Sequence, residues 1–217
     1  MKHRPNLLNF LSTDIYGITA DEYSLGRGNI ETVRLMIAAG IKVIQYREKN
    51  KPARLMYEEC LAIRELTRSR GVTFIVNDHV DLAVAVGVDG VHIGQDDLPP
   101  EKVRKLVGDD MIIGLSTHSP SQAQAALDMV GIIDYIGVGP IFATHTKKDV
   151  CEPVGLEYLE YVASNISIPF VAIGGIKEHN ICSVRAKGAR IISLVTEIVG
   201  APDLAAKVGA IRAALNG

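Results

Sequence analysis

The feature that most constrains this chain is an alternation of eight short apolar runs with longer amphipathic stretches. The runs are DIYGIT (14–19), KVIQY (42–46), VTFIV (72–76), DGVHI (89–93), MIIGL (111–115), DYIGVG (134–139), PFVAI (169–173) and RIISLV (190–195). Short, mostly apolar runs suit strands covered on both faces, as in a parallel sheet. The clearest helical stretch is 52–71. There Pro52 suits the first turn, Leu55, Cys60, Leu61 and Leu66 recur on one side, and Gly71 closes it. Gly40, Gly71, Gly87, Gly131 and Gly188 each stand just before a strand, where a helix commonly stops in a left-handed residue. Residues 202–215 read as a last helix. With no linker or low-complexity tract, residues 1–217 are expected to form a single domain. The pattern predicts an α/β fold, a (β/α)8 TIM barrel. An open doubly wound sheet is the competitor. The count of eight, the fairly even spacing and the lack of G-x-G-x-x-G after the first strand favour the barrel.

Bulk composition removes several function classes. The chain is 47% hydrophobic and 22% charged, with a net charge of −2, so bulk charge gives no reason to expect a nucleic-acid or membrane-surface partner. Cys60, Cys151 and Cys182 are scattered without metal-like spacing, which suits a reduced, cytoplasmic protein. The apolar stretch 7–11 is broken by Asn9 and too short for a signal peptide. No run of about 18 apolar residues appears.

In such a barrel the chemistry sits at the carboxyl ends of the strands, and the unusual polar residues fall there. Gln45, Arg47 and Lys49 are spaced by two, so strand periodicity aims them at one side, where they could line the mouth and meet a polyphosphate. A solvated strand end is an equal alternative on spacing alone. Asn77 and Asp78 end the third run and Asp97 follows the fourth. Two carboxylates on neighbouring strand ends can hold Mg2+; capping of the next helices is the stronger reading without further context. Ser116 ends the fifth run, and Ser119 with Pro120 opens the following helix. His118 has no nucleophile and acid in triad order. The sixth run leads into a long irregular segment with Thr144, Thr146, Lys147 and Lys148, suited to an anionic ligand. Gly174, Gly175, Val195 and Thr196 follow the seventh and eighth runs, where barrels bind phosphate with backbone N–H groups. His3, His79, His92 and Cys182 receive no role.

Together the segments QYREK (45–49), ND (77–78), GVHIGQDD (90–97), GLSTHS (114–119), GVGPIFATHTKKD (137–149), AIGGI (172–176) and LVTEI (194–198) closely resemble the thiamine phosphate synthase family. The resemblance runs from about Tyr16 to the C-terminal helix. It implies a (β/α)8 barrel transferase that joins hydroxymethylpyrimidine diphosphate to a thiazole phosphate and releases diphosphate. By resemblance, Gln45, Tyr46, Arg47, Glu48, Lys49, Asn77, Ser116 and Lys147 bind the pyrimidine diphosphate. Arg47, Lys49, Ser116 and Lys147 assist its departure. Asp78 and Asp97 match magnesium ligands, and Thr144, His145, Thr146, Gly175, Val195 and Thr196 match the thiazole phosphate site. The chain departs from the family at His145, at Thr196, where serine is usual, and at Glu197, where a small residue is usual. The implied partners are two small-molecule substrates, and a homodimer is compatible with the family. A thiazole tautomerase-like barrel keeps the thiazole site alone. A barrel that only binds a phosphorylated metabolite needs no magnesium carboxylates.

Overall fold

The computed structural model describes residues 5–144, 146 and 151–216. Eight strands form one parallel sheet in sequence order: β1 Tyr16–Ile18, β2 Val43–Tyr46, β3 Thr73–Asn77, β4 Gly90–Ile93, β5 Ile112–Thr117, β6 Tyr135–Val138, β7 Phe170–Ile173 and β8 Ile191–Ser193. A parallel bridge between Ile15 and Ile192 joins the last strand to the first. The sheet thereby closes as the expected (β/α)8 barrel. Helices α1 Pro5–Leu11, α2 Gly28–Ala38, α3 Ala53–Ser69, α4 Val80–Val86 and α5 Pro100–Val107 occupy the first half. Helices α6 Pro120–Leu127, α7 Gly155–Asn165, α8 Ile181–Ala186, α9 Val195–Val199 and α10 Leu204–Asn216 follow. No described helix is long and apolar enough to cross a membrane.

Strand alternation divides the apolar residues into two cores. Ile44, Tyr46, Phe74, Val76, Val91, Ile93, Ile113 and Ile136 pack outward among the helices. Tyr16, Ile18, Val43, Ile75, Ile112, Tyr135, Val171 and Ile191 fill the barrel interior. The five glycines expected to end helices all have φ between 62° and 93°, the left-handed region that costs glycine least.

Three features differ from the sequence expectation. Helix α3 buries Met56, Cys60, Ile63 and Thr67, whereas Leu55 and Leu61 are exposed. Its apolar residues cover more than one face, and the sheet selects the stripe that repeats at 56, 60, 63 and 67. The apolar run at 190–195 is not all strand. The registers of β8 end at Ile173↔Ser193 and Ile15↔Ile192, and Val195 begins α9. A short apolar run does not by itself distinguish strand from buried helix.

The third difference is α1, which the apolar stretch 7–11 did not announce. Its Phe10 is fully buried and belongs to the interior core. The ring lies 4.3 Å from that of Tyr135 and 6.0 Å from that of Tyr16, centroid to centroid. Phe10→Ala is therefore expected to lower the unfolding free energy by about 3–5 kcal/mol, the usual cost of emptying a buried aromatic site. Urea denaturation measures this; a loss below about 1 kcal/mol would show that Phe10 is not part of the packed interior.

Candidate active site

The inward positions at the carboxyl ends of the strands enclose a cavity of about 490 Å³, within the range of small-molecule sites. Gln45, Arg47, Asn77 and Ser116 line one part of its wall, and Thr144, Thr146, Gly175, Val195 and Thr196 another. Nine of the residues singled out in the sequence thus meet in one concave space.

Period-two geometry decides what β2 contributes. Gln45 and Arg47 face the cavity. Tyr46 does not: it is buried against the helices, and its hydroxyl donates to Glu59 Oε2 at 2.6 Å. Burial, and then the Glu59 carboxylate, raise its pKa far above the ordinary phenol value. Glu48 also lies off the cavity wall, accepting from Asn29 Nδ2 at 2.8 Å. Both residues alternate with the inward positions 45 and 47, so alternation turns them outward. They belong to a cluster that anchors the β2–α3 loop. Lys51 Nζ lies 2.6 Å from Glu59 and 2.7 Å from Asp21. Burial works against this ammonium, but its hydrogen bonds to Asp21 and Glu59 outweigh it and raise its pKa.

Arg47 is held from its backbone, its N–H donating to Thr19 Oγ1 at 2.9 Å. Its side-chain Nε is buried without a hydrogen-bond partner. Lys49 is half-exposed and forms an ion pair with Asp78; neither lines the cavity. Asp78 occupies the left-handed region at φ 61°, which Asp and Asn tolerate better than most residues. Asp97 accepts from the Gly94 N–H at 2.6 Å, and its neighbour Asp96 lines the cavity instead. The capping alternative is not realised: His79 and Pro99 are the N-cap residues of α4 and α5, with no side-chain cap bond at either. Among the described residues, no group of three or more His, Cys, Asp or Glu gathers as a metal cage.

Across the mouth, Thr144 Oγ1 and Thr146 Oγ1 are 3.2 Å apart. His145 and Lys147 lie outside the described residues. Gly174 and Gly175 have φ of 99° and 63°. A Cβ on Gly175 would fall 2.5 Å from Ala143 O and 2.7 Å from Phe142 Cβ. The glycines are thus required by the turn and by the loop above it. Gly175→Ala is expected to cost at least about 1–3 kcal/mol from backbone strain and to displace the segment carrying Thr144 and Thr146. Thermal unfolding tests the first part, and an unchanged midpoint would refute it.

The structure also brings in residues that motif reading left aside. Tyr16, His92, Tyr135, His118, Lys177 and Ser193 line the cavity. Alternation could have found Tyr16, Tyr135 and Ser193, since each sits at an inward strand position. Ser193 Oγ is buried without a partner. Glu197, the departure beside Thr196, faces cations: its carboxylate is 3.2 Å from Lys177 Nζ and 3.6 Å from Lys207 Nζ. That pairing offsets a negative charge which would otherwise repel an anion nearby.

Fold and cavity together define a (β/α)8 barrel with its cavity at the carboxyl ends of the strands, where barrel enzymes carry their active sites. Residues 15–198 match the family model described as thiamine monophosphate synthase, and the chain belongs to that family. It is 71% identical to a thiamine-phosphate synthase of Pelotomaculum thermopropionicum, over 100% of this chain and 98% of the relative. It is 55% identical to one of Lawsonia intracellularis, over 94% of each chain. Among solved structures, a thiamine phosphate pyrophosphorylase from Pyrococcus furiosus superposes with a TM-score of 0.84 at 33% identity, covering 99% of this chain and 98% of the other.

Proposed function

We propose that this transferase joins hydroxymethylpyrimidine diphosphate to a thiazole phosphate, forming thiamine phosphate and releasing diphosphate. The observation that carries the reading is the gathering of two donor sets around one cavity: Gln45, Arg47, Asn77 and Ser116 on one side, Thr144, Thr146, Gly175, Val195 and Thr196 on the other.

The chemistry is the one the family resemblance implies, and these groups suit it. The bond between the pyrimidine methylene carbon and the diphosphate oxygen breaks first, and its electron pair leaves with diphosphate. The cation left behind is stabilised by the pyrimidine ring, and the thiazole nitrogen supplies the pair for the new carbon–nitrogen bond. No side-chain nucleophile is needed. The protein must hold the two substrates face to face and stabilise charge on the leaving group. That role is assigned to the Arg47 guanidinium and the Ser116 hydroxyl, which line the cavity, and to Lys49 by its family position. Lys147 belongs to the same set by its family position.

Asp78 and Asp97, in the segments after β3 and β4, are the residues that would hold Mg2+. The donor set fits, because magnesium usually takes only one or two carboxylates and fills its remaining positions with phosphate oxygens and water. The ion would neutralise charge on the departing diphosphate. The thiazole phosphate is assigned to the hydroxyls of Thr144 and Thr146 and the backbone N–H groups of Gly175, Val195 and Thr196. His145 falls within the same segment. The cytoplasm is the proposed compartment, since Cys60, Cys151 and Cys182 are all free thiols.

A turnover assay with both substrates, with and without magnesium, tests the reading. Equal yields of thiamine phosphate and diphosphate, dependent on magnesium, are expected. Isomerisation of the thiazole alone would favour the tautomerase-like alternative. Binding without turnover would favour a non-catalytic barrel.

A further inference from the structure

Polar side chains from five strands form an unbroken hydrogen-bonded chain across the cavity floor. Gln45 Nε2 donates to the Tyr16 hydroxyl at 3.0 Å. The Tyr16 and Tyr135 hydroxyls are 2.9 Å apart. Tyr135 Oη is 2.9 Å from His92 Nδ1, and His92 Nε2 is 2.9 Å from Ser116 Oγ. Both tyrosines are almost wholly buried, with Phe10 packed against them.

The backbone is kept bare where this chain passes. A Cβ on Gly114 would lie 2.2 Å from Tyr135 Cζ and 2.4 Å from His92 Nδ1, and one on Gly137 would lie 3.2 Å from His92 Cε1. Neither glycine has a positive φ, so space rather than backbone conformation requires them.

Proton counting gives the chain a direction. The Gln45 amide nitrogen can only donate. Tyr16 therefore accepts from Gln45 and directs its single proton to Tyr135, because accepting from both would leave that buried proton unpaired. Tyr135 in turn donates to His92 Nδ1. A neutral imidazole that accepts at Nδ1 carries its proton at Nε2, and that proton goes to Ser116 Oγ. The proton of Ser116 is then left for the cavity. Burial raises the pKa of both phenols, so they keep the protons this requires. Every bond donates in one sense, and aligned bonds of this kind strengthen one another. The opposite sense would need Gln45 turned to present its carbonyl. It would also make Ser116 donate to His92, leaving only lone pairs toward an anionic ligand.

We propose that Tyr135 is a positioning residue that holds His92 in its Nε2–H tautomer, and that His92 in turn positions Ser116 so that it presents its hydroxyl proton to the leaving diphosphate. The last step rests on the proposed function; the tautomer does not.

The test is nitrogen-15 NMR of histidine-labelled, substrate-free protein at mildly alkaline pH, with the His92 signals assigned from their loss in His92→Gln. An unprotonated Nδ1 and a protonated Nε2 are expected. An Nδ1–H tautomer overturns the proposal. Tyr135→Phe removes the donor to Nδ1 and should give mixed tautomers, with kcat/KM for the pyrimidine diphosphate about tenfold lower, as loss of one neutral hydrogen bond typically gives. Tyr16→Phe should leave the His92 tautomer unchanged, because Tyr135 still donates to it. A folded Tyr135→Phe protein with the parental tautomer and rate also overturns the proposal. The expected tautomer in a protein that turns over neither substrate would instead refute the proposed function and leave the chain's polarity standing.

Discussion

Arg47→Gln is expected to lower kcat/KM by about two to three orders of magnitude, the usual loss when one preorganised charge-stabilising donor is removed. The reason lies in its surroundings. Arg47 lines the cavity, and its Nε is buried with no partner. A charged donor left in that state costs folding free energy, and an arriving anion recovers it. Lys49→Gln should have a smaller effect, because Lys49 is half-exposed and its charge is already paired with Asp78. Steady-state kinetics with both substrates measures the difference. Urea unfolding should show Arg47→Gln to be as stable as the parent or more so, the trade expected where a site holds an unsatisfied group for its ligand. Near-parental turnover at saturating substrate would remove Arg47 from the proposed chemistry.

The second large effect concerns the two carboxylates. Asp78→Asn is expected to weaken diphosphate binding in the presence of magnesium by roughly 100-fold, the scale of one strong contact to a charged group. Binding of thiazole phosphate should stay nearly unchanged. The basis is position: Asp78 and Asp97 follow β3 and β4, whereas Gly175, Val195 and Thr196 follow β7 and β8. Asp78→Asn is the cleaner variant, since asparagine also tolerates the φ of 61° found there. Asp97→Asn should show the same selectivity, with some loss of loop order added because Asp97 holds the Gly94 N–H. Calorimetry on each substrate, with and without magnesium, separates the effects. If thiazole phosphate binding collapsed together with diphosphate binding in a folded Asp78→Asn protein, the two sites would not be independent. If magnesium made no difference to diphosphate binding by the parent protein, the metal assignment would fail.

Much of this molecule was legible from local pattern. Eight apolar runs at fairly even spacing sufficed for the barrel, because each βα unit must bury its strand on both faces and end its helix before the next. The spacing of Gln45, Arg47 and Lys49 carried more information than the motif around them. It separates Gln45 and Arg47, which face the cavity, from Tyr46, which packs among the helices. Strand periodicity is a property of a few neighbouring residues, and no distant contact is needed to set it.

What only the tertiary structure decided depends on residues far apart in the chain. The face of α3 that packs inward was chosen by the sheet, because its apolar residues alone allow two answers. Val195 left the strand: the recorded pairings end at Ile173↔Ser193 and Ile15↔Ile192, and Val195 begins α9. The link between Tyr16 and Tyr135 spans 119 positions, and that between His92 and Ser116 spans 24. By itself the sequence determined that this chain closes a barrel and places its polar residues at one end, since those outcomes follow from repeating local periodicity and the hydrophobic effect. The hydrogen-bonded floor, the orphaned Arg47 Nε and the pairing of Lys49 with Asp78 were decided only when closure brought strands from the whole length of the chain around one axis. Such contacts depend on interatomic distances of a few ångströms, which a one-dimensional pattern does not encode.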